Sequence, residues 1–362
     1  MAVSTIGASG LNSAVSQIGK NLVTNGGANV SQRGTQTGQY NAYTAVDQFW
    51  FQEAGSVQAR FTTTQDGSGG GGHANSLKLD CTTAESTVAA GDILNLQHRI
   101  EAQHLQHLQW GTASAKDVTL SFWMSSPKTG THCVSLYQAD ATRSYIAEFT
   151  IAAINTFEYF SVTIPGDTGG TINDDTGPGL YVSFPLFSGS NWQAAAGSWL
   201  GSQDYTTSNQ QNLADNTSNN IFVTGVQLEV GSVATDFEHE DYGTTLAKCQ
   251  RYLFRINQPA SSYEAIGSGF ARTATQCIIS MHMDVPMRVE GTLSAGGTLA
   301  DIDNRHAADD EDTTALSSYA PGTGVYLMAI TIGAGNFTVG EGVVSWIKGG
   351  SNSTFIQVTS EL

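Results

Sequence analysis

Basic residues are scarce in this chain. Its 362 residues hold 15 Lys and Arg against 32 Asp and Glu, a net charge of −17 at neutral pH. No Lys/Arg cluster offsets that deficit, so the electrostatic footprint of a nucleic-acid binder is missing. Anionic membrane surfaces are disfavoured for the same reason, whereas acidity suits cation binding and solubility at high local concentration. Charge of either sign is thin, at 13% of residues. Long helices draw on Glu, Lys, Arg, Ala and Leu, so this composition argues against a helical protein. The four cysteines, Cys81, Cys133, Cys249 and Cys277, form no CxxC pair. That removes the zinc-ribbon signature and leaves buried free thiols in strands as the reading. No apolar run approaches the roughly 18 residues a membrane-spanning helix needs. Met1 to Lys20 lacks the basic and apolar regions of a Sec signal. The chain is therefore expected to be made in the cytosol, and to reach the outside only as part of a released particle. No internal repeat supports a solenoid or propeller.

What takes the place of charge is Gly, Ser, Thr, Asn and Gln, the residues of turns between short strands. Residues 1–20 are small and polar with spaced apolar positions, Ile6, Leu11, Val15 and Ile18, and read as an arm that orders against a partner. From 21 to 242 the pattern is strand-like. Turn clusters such as Asn25-Gly26-Gly27, Pro165-Gly166-Asp167 and Asp174-Asp175-Thr176-Gly177 punctuate it. Between them, 118–124, 157–164, 180–184 and 221–228 alternate apolar and polar residues with period two. About ten such strands at short spacing fit a two-sheet sandwich. Residues 242–255 form a junction, in which Leu246, Cys249 and Tyr252 share one side of a short helix before a strand begins. The remainder, within 243–362, is a smaller β unit whose clearest strands are 277–283, 325–332 and 343–347. Trp50 and Trp123 alternate with polar residues and are read as core-facing.

Several stretches carry a resemblance. Residues 21–27 and 31–35, NLVTNGG and SQRGT, then Tyr43-Thr44-Ala45-Val46-Asp47-Gln48-Phe49-Trp50, with Gln48 where Arg is usual, match in order. So do 113–116 leading into Ser121-Phe122-Trp123, and Ile164-Pro165-Gly166-Asp167-Thr168. The most specific piece is Gly225 to Glu238, GVQLEVGSVATDFE, with Asp236 in place of the usual Pro. Residues 242–252 and the closing Ser360-Glu361-Leu362 add to it. Together they resemble tail-fibre and appendage proteins of bacteriophages, marine podoviruses especially, that carry a carbohydrate-binding-like domain. The resemblance covers 21–255 well and the rest loosely. It implies an all-β chain: a jelly-roll sandwich followed by a smaller C-terminal β domain, on a virion appendage, as a homotrimer. The motifs themselves read as structural. Glu229 is placed to accept backbone N–H bonds at a turn, and Arg251 to reach a carboxylate across the junction.

His98, His104 and His107 lie in a segment read as strand, where i and i+3 point to opposite faces, so no metal site is expected. Nothing in the sequence brings two of Glu101, Asp174, Asp175, Glu238 and Glu240 to opposite sides of a sugar. The serine-elbow, P-loop, HExxH and Rossmann signatures are absent. Gly69 to Gly72 reads as a flexible loop. Asp301 to Asp312 supplies oxygen ligands without EF-hand spacing, and reads as a solvated acidic loop. The expectation is thus no enzyme, no cofactor and no metal.

One stretch fits sugar recognition: Ser188 through Trp192 and Trp199 to Tyr205 sets three aromatics in a polar, Gly-rich loop. Trp192, Trp199 and Tyr205 are the candidate carbohydrate-binding residues; the competing reading is a folded-back loop that caps the core. The functional expectation is a tail-fibre or receptor-binding subunit displaying glycan-binding-like domains for host attachment. Its alternatives are a head fibre or capsid decoration protein and, from another class, a glycan-degrading depolymerase. Expected partners are other virion proteins through residues 1–20, further copies of the chain and a host surface glycan, with neither nucleic acid nor membrane insertion. The expected location is the virion.

Overall fold

The computed structural model describes residues 19–307, 309–350 and 353–362. The anchor arm expected over 1–20 falls almost wholly outside them. The chain divides into two compact units, Met1–Thr245 and Leu246–Leu362.

The first unit is a sandwich. Its strands in chain order are β1 (Gln36–Gln39), β2 (Phe49–Ala54), β3 (Arg60–Asp66), β4 (Ser76–Thr83), β5 (Ile93–Glu101), β6 (Val118–Ser125), β7 (Gly130–Gln138), β8 (Arg143–Ile151), β9 (Glu158–Ile164), β10 (Pro178–Ser188), β11 (Trp199–Leu200) and β12 (Asn220–Val230). One six-stranded sheet runs β1-β3-β4-β12-β6-β9 and the other β11-β8-β7-β10-β5-β2. From β4 onward the chain passes repeatedly between the sheets, the connectivity of a jelly roll. Period two decides what lies between them. Val118, Leu120, Phe122 and Met124 of β6 face Leu94, Leu96, Leu180, Val182 and Phe184 of the opposite sheet in a single core. Phe122 contacts the rings of Phe149, Phe160 and Phe184 at centroid distances of 5.2, 5.5 and 5.1 Å.

β12 shows how a break in the alternation is accommodated. Ile221 and Val223 face the core, as do Val226 and Leu228, although 223 and 226 have opposite parity. The pairing with β6 slips between Thr224 and Gln227, inserting one extra residue. Gly225 occupies the left-handed region there, with φ of +60°. The bulge turns the second half of the strand so that both apolar pairs point inward.

The same parity corrects the reading of two tryptophans. Phe49 and Phe51 of β2 and Phe122 of β6 take the core positions, which puts Trp50 and Trp123 on the outer faces, partly exposed. Trp123 lies beside Tyr159 and under the Gly-rich loop. A Cβ on Gly71 would stand 2.1 Å from the indole, and one on Gly70 2.6 Å from Phe157. Gly69 to Gly72 is therefore a close-packed cover rather than a free loop.

A helix, α1 (Tyr242–Gln250), spans the division between the units. The second unit contains β13 (Leu253–Asn257), β14 (Glu264–Thr273), β15 (Gln276–His282), β16 (Thr292–Gly296), β17 (Ile302–Arg305), β18 (Asp310–Ala320), β19 (Val325–Ile332), β20 (Gly342–Ile347) and β21 (Phe355–Thr359). Six of them close a barrel, β14-β15-β19-β18-β17-β20, and β13-β21-β16 form a separate sheet. In β14, a Cβ on Gly267 or Gly269 would stand 2.1 or 1.7 Å from a carbonyl oxygen of β15, so glycine permits the close approach that tightens the barrel.

The acidic stretch 301–312 is part of this barrel, not a solvated loop. β17 and β18 pair through it, with Asp303 opposite Asp312. Lys348 Nζ stands 2.8 Å from Asp303 and 2.9 Å from Asp312, so one ammonium bridges the two carboxylates and offsets their repulsion. Asn304, fully buried, donates to Glu311 O and Thr313 Oγ1. All four cysteines are free and buried, three in strands and Cys249 in α1.

Candidate functional site

The motif from Gly225 to Glu238 is a latch. Glu229 accepts from Thr235 N at 2.8 Å and Thr235 Oγ1 at 2.6 Å, as expected, and from Gln227 Nε2 at 2.9 Å. Gln227 Oε1 accepts from Glu238 N, and Glu238 Oε2 from Asn21 N at 2.7 Å. Asn21 Oδ1 accepts from Leu228 N at 3.0 Å and its amide donates to Val226 O. Glu238 is thereby held in a structural role that joins the first described residues to the closing strand. Glu101, fully buried, accepts from Gln103 Nε2 at 2.6 Å, and Asp175 accepts from Gly177 N at 2.7 Å.

The histidines divide. His98 is core-facing in β5, with Nε2 donating to Thr24 O at 3.0 Å, and burial pushes it down to about 4. His104 and His107 are exposed on a 3-10 helix, Ala102–Leu108, rather than on a strand. Ala102, Leu105 and Leu108 supply its buried side, a period of three that the strand reading overlooked. His107 lies below the ordinary value through partial burial and the nearby Lys116. Among the described residues, no group of three or more His, Cys, Asp or Glu is placed to hold a metal ion.

The feature sequence reasoning missed is the outer face of the sheet β11-β8-β7-β10-β5-β2. Period two that sends Leu94, Leu96 and His98 inward sends Ile93, Asn95, Gln97 and Arg99 of β5 outward. Across the register, Trp50 stands opposite Gln97, Gln52 opposite Asn95, Tyr181 opposite both Arg99 and Tyr137, and Ser183 opposite both Gln97 and Ser135. Rings and a guanidinium run continuously over this polar ground. Tyr43 meets Trp50 at 4.7 Å. The Arg99 guanidinium lies 5.1 Å from the Trp50 ring and 5.0 Å from the Tyr181 ring. Tyr181 meets Tyr137 at 5.4 Å. Tyr43, Trp50, Gln52, Arg99 and Tyr181 are partly exposed, and the Trp50 indole N–H, itself buried, has no hydrogen-bond partner among the described residues. The signal was present in the sequence as Trp50 alternating with Phe49 and Phe51; three consecutive aromatics cannot all face one side of a strand.

Of the three sequence candidates, Trp192 and Tyr205 border this strip, on stretches of 189–211 before and after β11 that fold back over the same face. Tyr205 is completely buried, so its ring has no free side to offer a ligand. Its hydroxyl meets Gln203 Nε2 at 2.6 Å and Gln97 Nε2 at 3.4 Å. Burial raises the phenol to about 12 against the pull of the amides of Gln203, Gln52 and Gln97. Trp192, partly exposed, packs 6.0 Å from Tyr205 and donates its indole N–H to Gly91 O at 2.9 Å. Trp199 is separate from both: it pairs with Tyr145 in β11, packs against Trp110 at 5.2 Å and donates to Pro165 O. The structure therefore brings Trp192 and Tyr205 together, leaves Trp199 apart, and takes the folded-back alternative for Tyr205.

No protein-family model matches the sequence, and no curated protein matches it. Among solved structures, the enzymatically active domain of tailspike protein 4 of bacteriophage CBA120 is similar at 14% identity over 59% of this chain, with a TM-score of 0.30. This chain spans 22% of that tailspike. A xylan-binding domain of carbohydrate-binding module family 22 is 14% identical over 54% of this chain and 97% of its own, with a TM-score of 0.29. A family 11 carbohydrate-binding module from Clostridium thermocellum, solved with a mixed-linked tetrasaccharide, is 12% identical over 54% and 96%, with a TM-score of 0.27. At these identities and scores the likenesses carry no argument about function.

Proposed function

We propose that this chain is a glycan-binding subunit of a bacteriophage appendage, and that it meets its ligand on the outer face of the β11-β8-β7-β10-β5-β2 sheet. The observation that carries the glycan reading is the partly exposed strip Tyr43–Trp50–Arg99–Tyr181 with the amide of Gln52 beside it. Pyranose rings have apolar faces and hydroxyl rims. A site for them needs aromatic planes beside amide donors and acceptors, which is what this face offers. Arg99, flanked by two rings, holds both indole and phenol in place and supplies further N–H donors. Trp192 borders the strip from the folded-back segment.

The appendage part of the proposal rests on the sequence resemblance centred on Gly225 to Glu238. A tail-fibre or receptor-binding role, a homotrimer and attachment through residues 1–20 complete the reading. Weak single contacts would then sum through multivalency. The test is binding to an array of bacterial surface polysaccharides, with titration of whichever is retained. Trp50→Ala and Arg99→Ala are each expected to weaken binding by at least roughly tenfold, about 1.4 kcal/mol, with the circular dichroism spectrum unchanged. Retention of a glycan with equal affinity by wild type and both variants would move the site elsewhere.

A further inference from the structure

Under the segment 189–211 lies a group of polar side chains that find no hydrogen-bond partner among the described residues. Asn95 is fully buried, and neither its amide nitrogen nor its oxygen finds a hydrogen bond. The hydroxyls of Ser135 and Ser183, 1% and 0% exposed, are equally unpartnered. The register makes them neighbours: Ser183 pairs with Ser135 on one side and Gln97 on the other, and Asn95 is one pleat along from Gln97. Orphaned groups of this kind cost free energy each, and a core position evolved only for packing would carry apolar residues. They continue, strand for strand, the polar ground of the open strip.

What covers this face is unusual. Tyr205 presents a six-membered ring with a hydroxyl, packed against Ile93 and the aromatic rings of Tyr137 at 6.3 Å and Trp192 at 6.0 Å. That hydroxyl is held by amides of Gln203, Gln52 and Gln97. A ring against aromatic rings with its hydroxyl among amides is how a pyranose residue is bound.

We propose that Tyr205 occupies a sugar subsite of the protein's own making, and that Asn95, Gln97, Ser135 and Ser183 are its ligand-binding floor. The occupant it stands in for is one neutral hexopyranose residue, contiguous with the residues held on the open strip. A glycan long enough to reach the subsite displaces Tyr205 and the segment that carries it. Shorter ligands bind the strip alone. The proposal rests on the glycan reading of this face, and its test separates the two.

The primary test uses Tyr205→Ala, which vacates the ring, beside wild type and Tyr205→Phe, which keeps it. D-glucose, D-galactose and D-mannose are the probes. At a sugar concentration about ten times the dissociation constant, Tyr205→Ala is expected to melt roughly 3 °C higher with at least one of them. Wild type and Tyr205→Phe, in which the ring fills the subsite, are expected to shift by less, through the open strip alone. A folded Tyr205→Ala that no monosaccharide stabilises beyond wild type overturns the subsite, while the strip is judged independently by Trp50→Ala. Should Tyr205→Ala fail to fold, hydrogen exchange on wild type decides. With a polysaccharide retained on the array, the amides of Ala194, Tyr205 and Thr207 are expected to lose protection. Unchanged protection in the bound state overturns the subsite and leaves the strip standing, and a wild type that retains no array glycan overturns both.

Discussion

His98 gives the sandwich a calculable dependence on pH. The imidazole is wholly buried in β5, edge-on to Phe49 at 5.4 Å, with Nε2–H donating to Thr24 O and Nδ1 unpartnered. Burial is the main cause of its fall from 6.5 to about 4; the bond to Thr24 works weakly the other way. The folded state therefore binds its proton only near pH 4, whereas the unfolded chain binds it from pH 6.5 downward. Between those values the unfolded state carries more protons, so stability falls as pH falls. The full difference is about 3 kcal/mol, of which about 2 kcal/mol is lost by pH 5. Above pH 6.5 the residue contributes no slope. The assay is urea unfolding at a series of pH values, followed by tryptophan fluorescence, since five of the six Trp lie in the sandwich unit. His98→Gln keeps an amide donor for Thr24 O and cannot titrate. Wild type is expected to lose midpoint relative to this variant on going from pH 7 to 4.5. A difference that stays flat over that window refutes the reasoning, because the imidazole would then be charged or solvated in the fold.

Phe122→Ala removes a ring shared by Phe149, Phe160 and Phe184, and is expected to cost about 3–5 kcal/mol in chemical denaturation. Glu229→Ala leaves Thr235 N without its acceptor and the Gln227 amide with only its longer bonds to Thr235 O and Asp236 O, and a loss of about 1–3 kcal/mol is expected, read as a lower melting temperature of the sandwich. Gly225→Ala forces a Cβ to within 2.5 Å of His73 at a positive φ, so it is expected to destabilise where Gly342→Ala, with nothing near, is neutral by the same measurement. Lys348→Met leaves Asp303, 6% exposed, facing Asp312 without a counter-charge, and the barrel unit of the variant is expected to melt lower at pH 7 than at pH 4, where the carboxylates protonate.

The sandwich was legible because its strands obey one rule, alternation, over 118–124, 157–164 and 180–184. The latch was legible as a motif because its residues satisfy one another locally. Three things were not. Alternation says which residues share a face but not which face is inward. Phe49, Trp50 and Phe51 are equally apolar as a string, and only the presence of the opposite sheet assigns Trp50 to the outside. The acidic stretch 301–312 read as a loop because a barrel this narrow tolerates short polar side chains on the strand where one lysine, 36 residues beyond Asp312, supplies their counter-charge; no local pattern records a partner that distant. Tyr205 left two readings open, a binding residue and a folded-back cap, because it sits among Gly, Ser, Gln and Asp, the composition of a surface loop. Composition reports how a segment meets water and is silent on what lies beneath it. Here the neighbours of Tyr205 are outward side chains of β5 and β7, more than sixty residues earlier, and they mix the apolar Ile93 and Tyr137 with the polar Gln97. A loop of this composition fits over a partly polar sheet face as readily as it fits into solvent, so the sequence of the loop alone cannot separate the two.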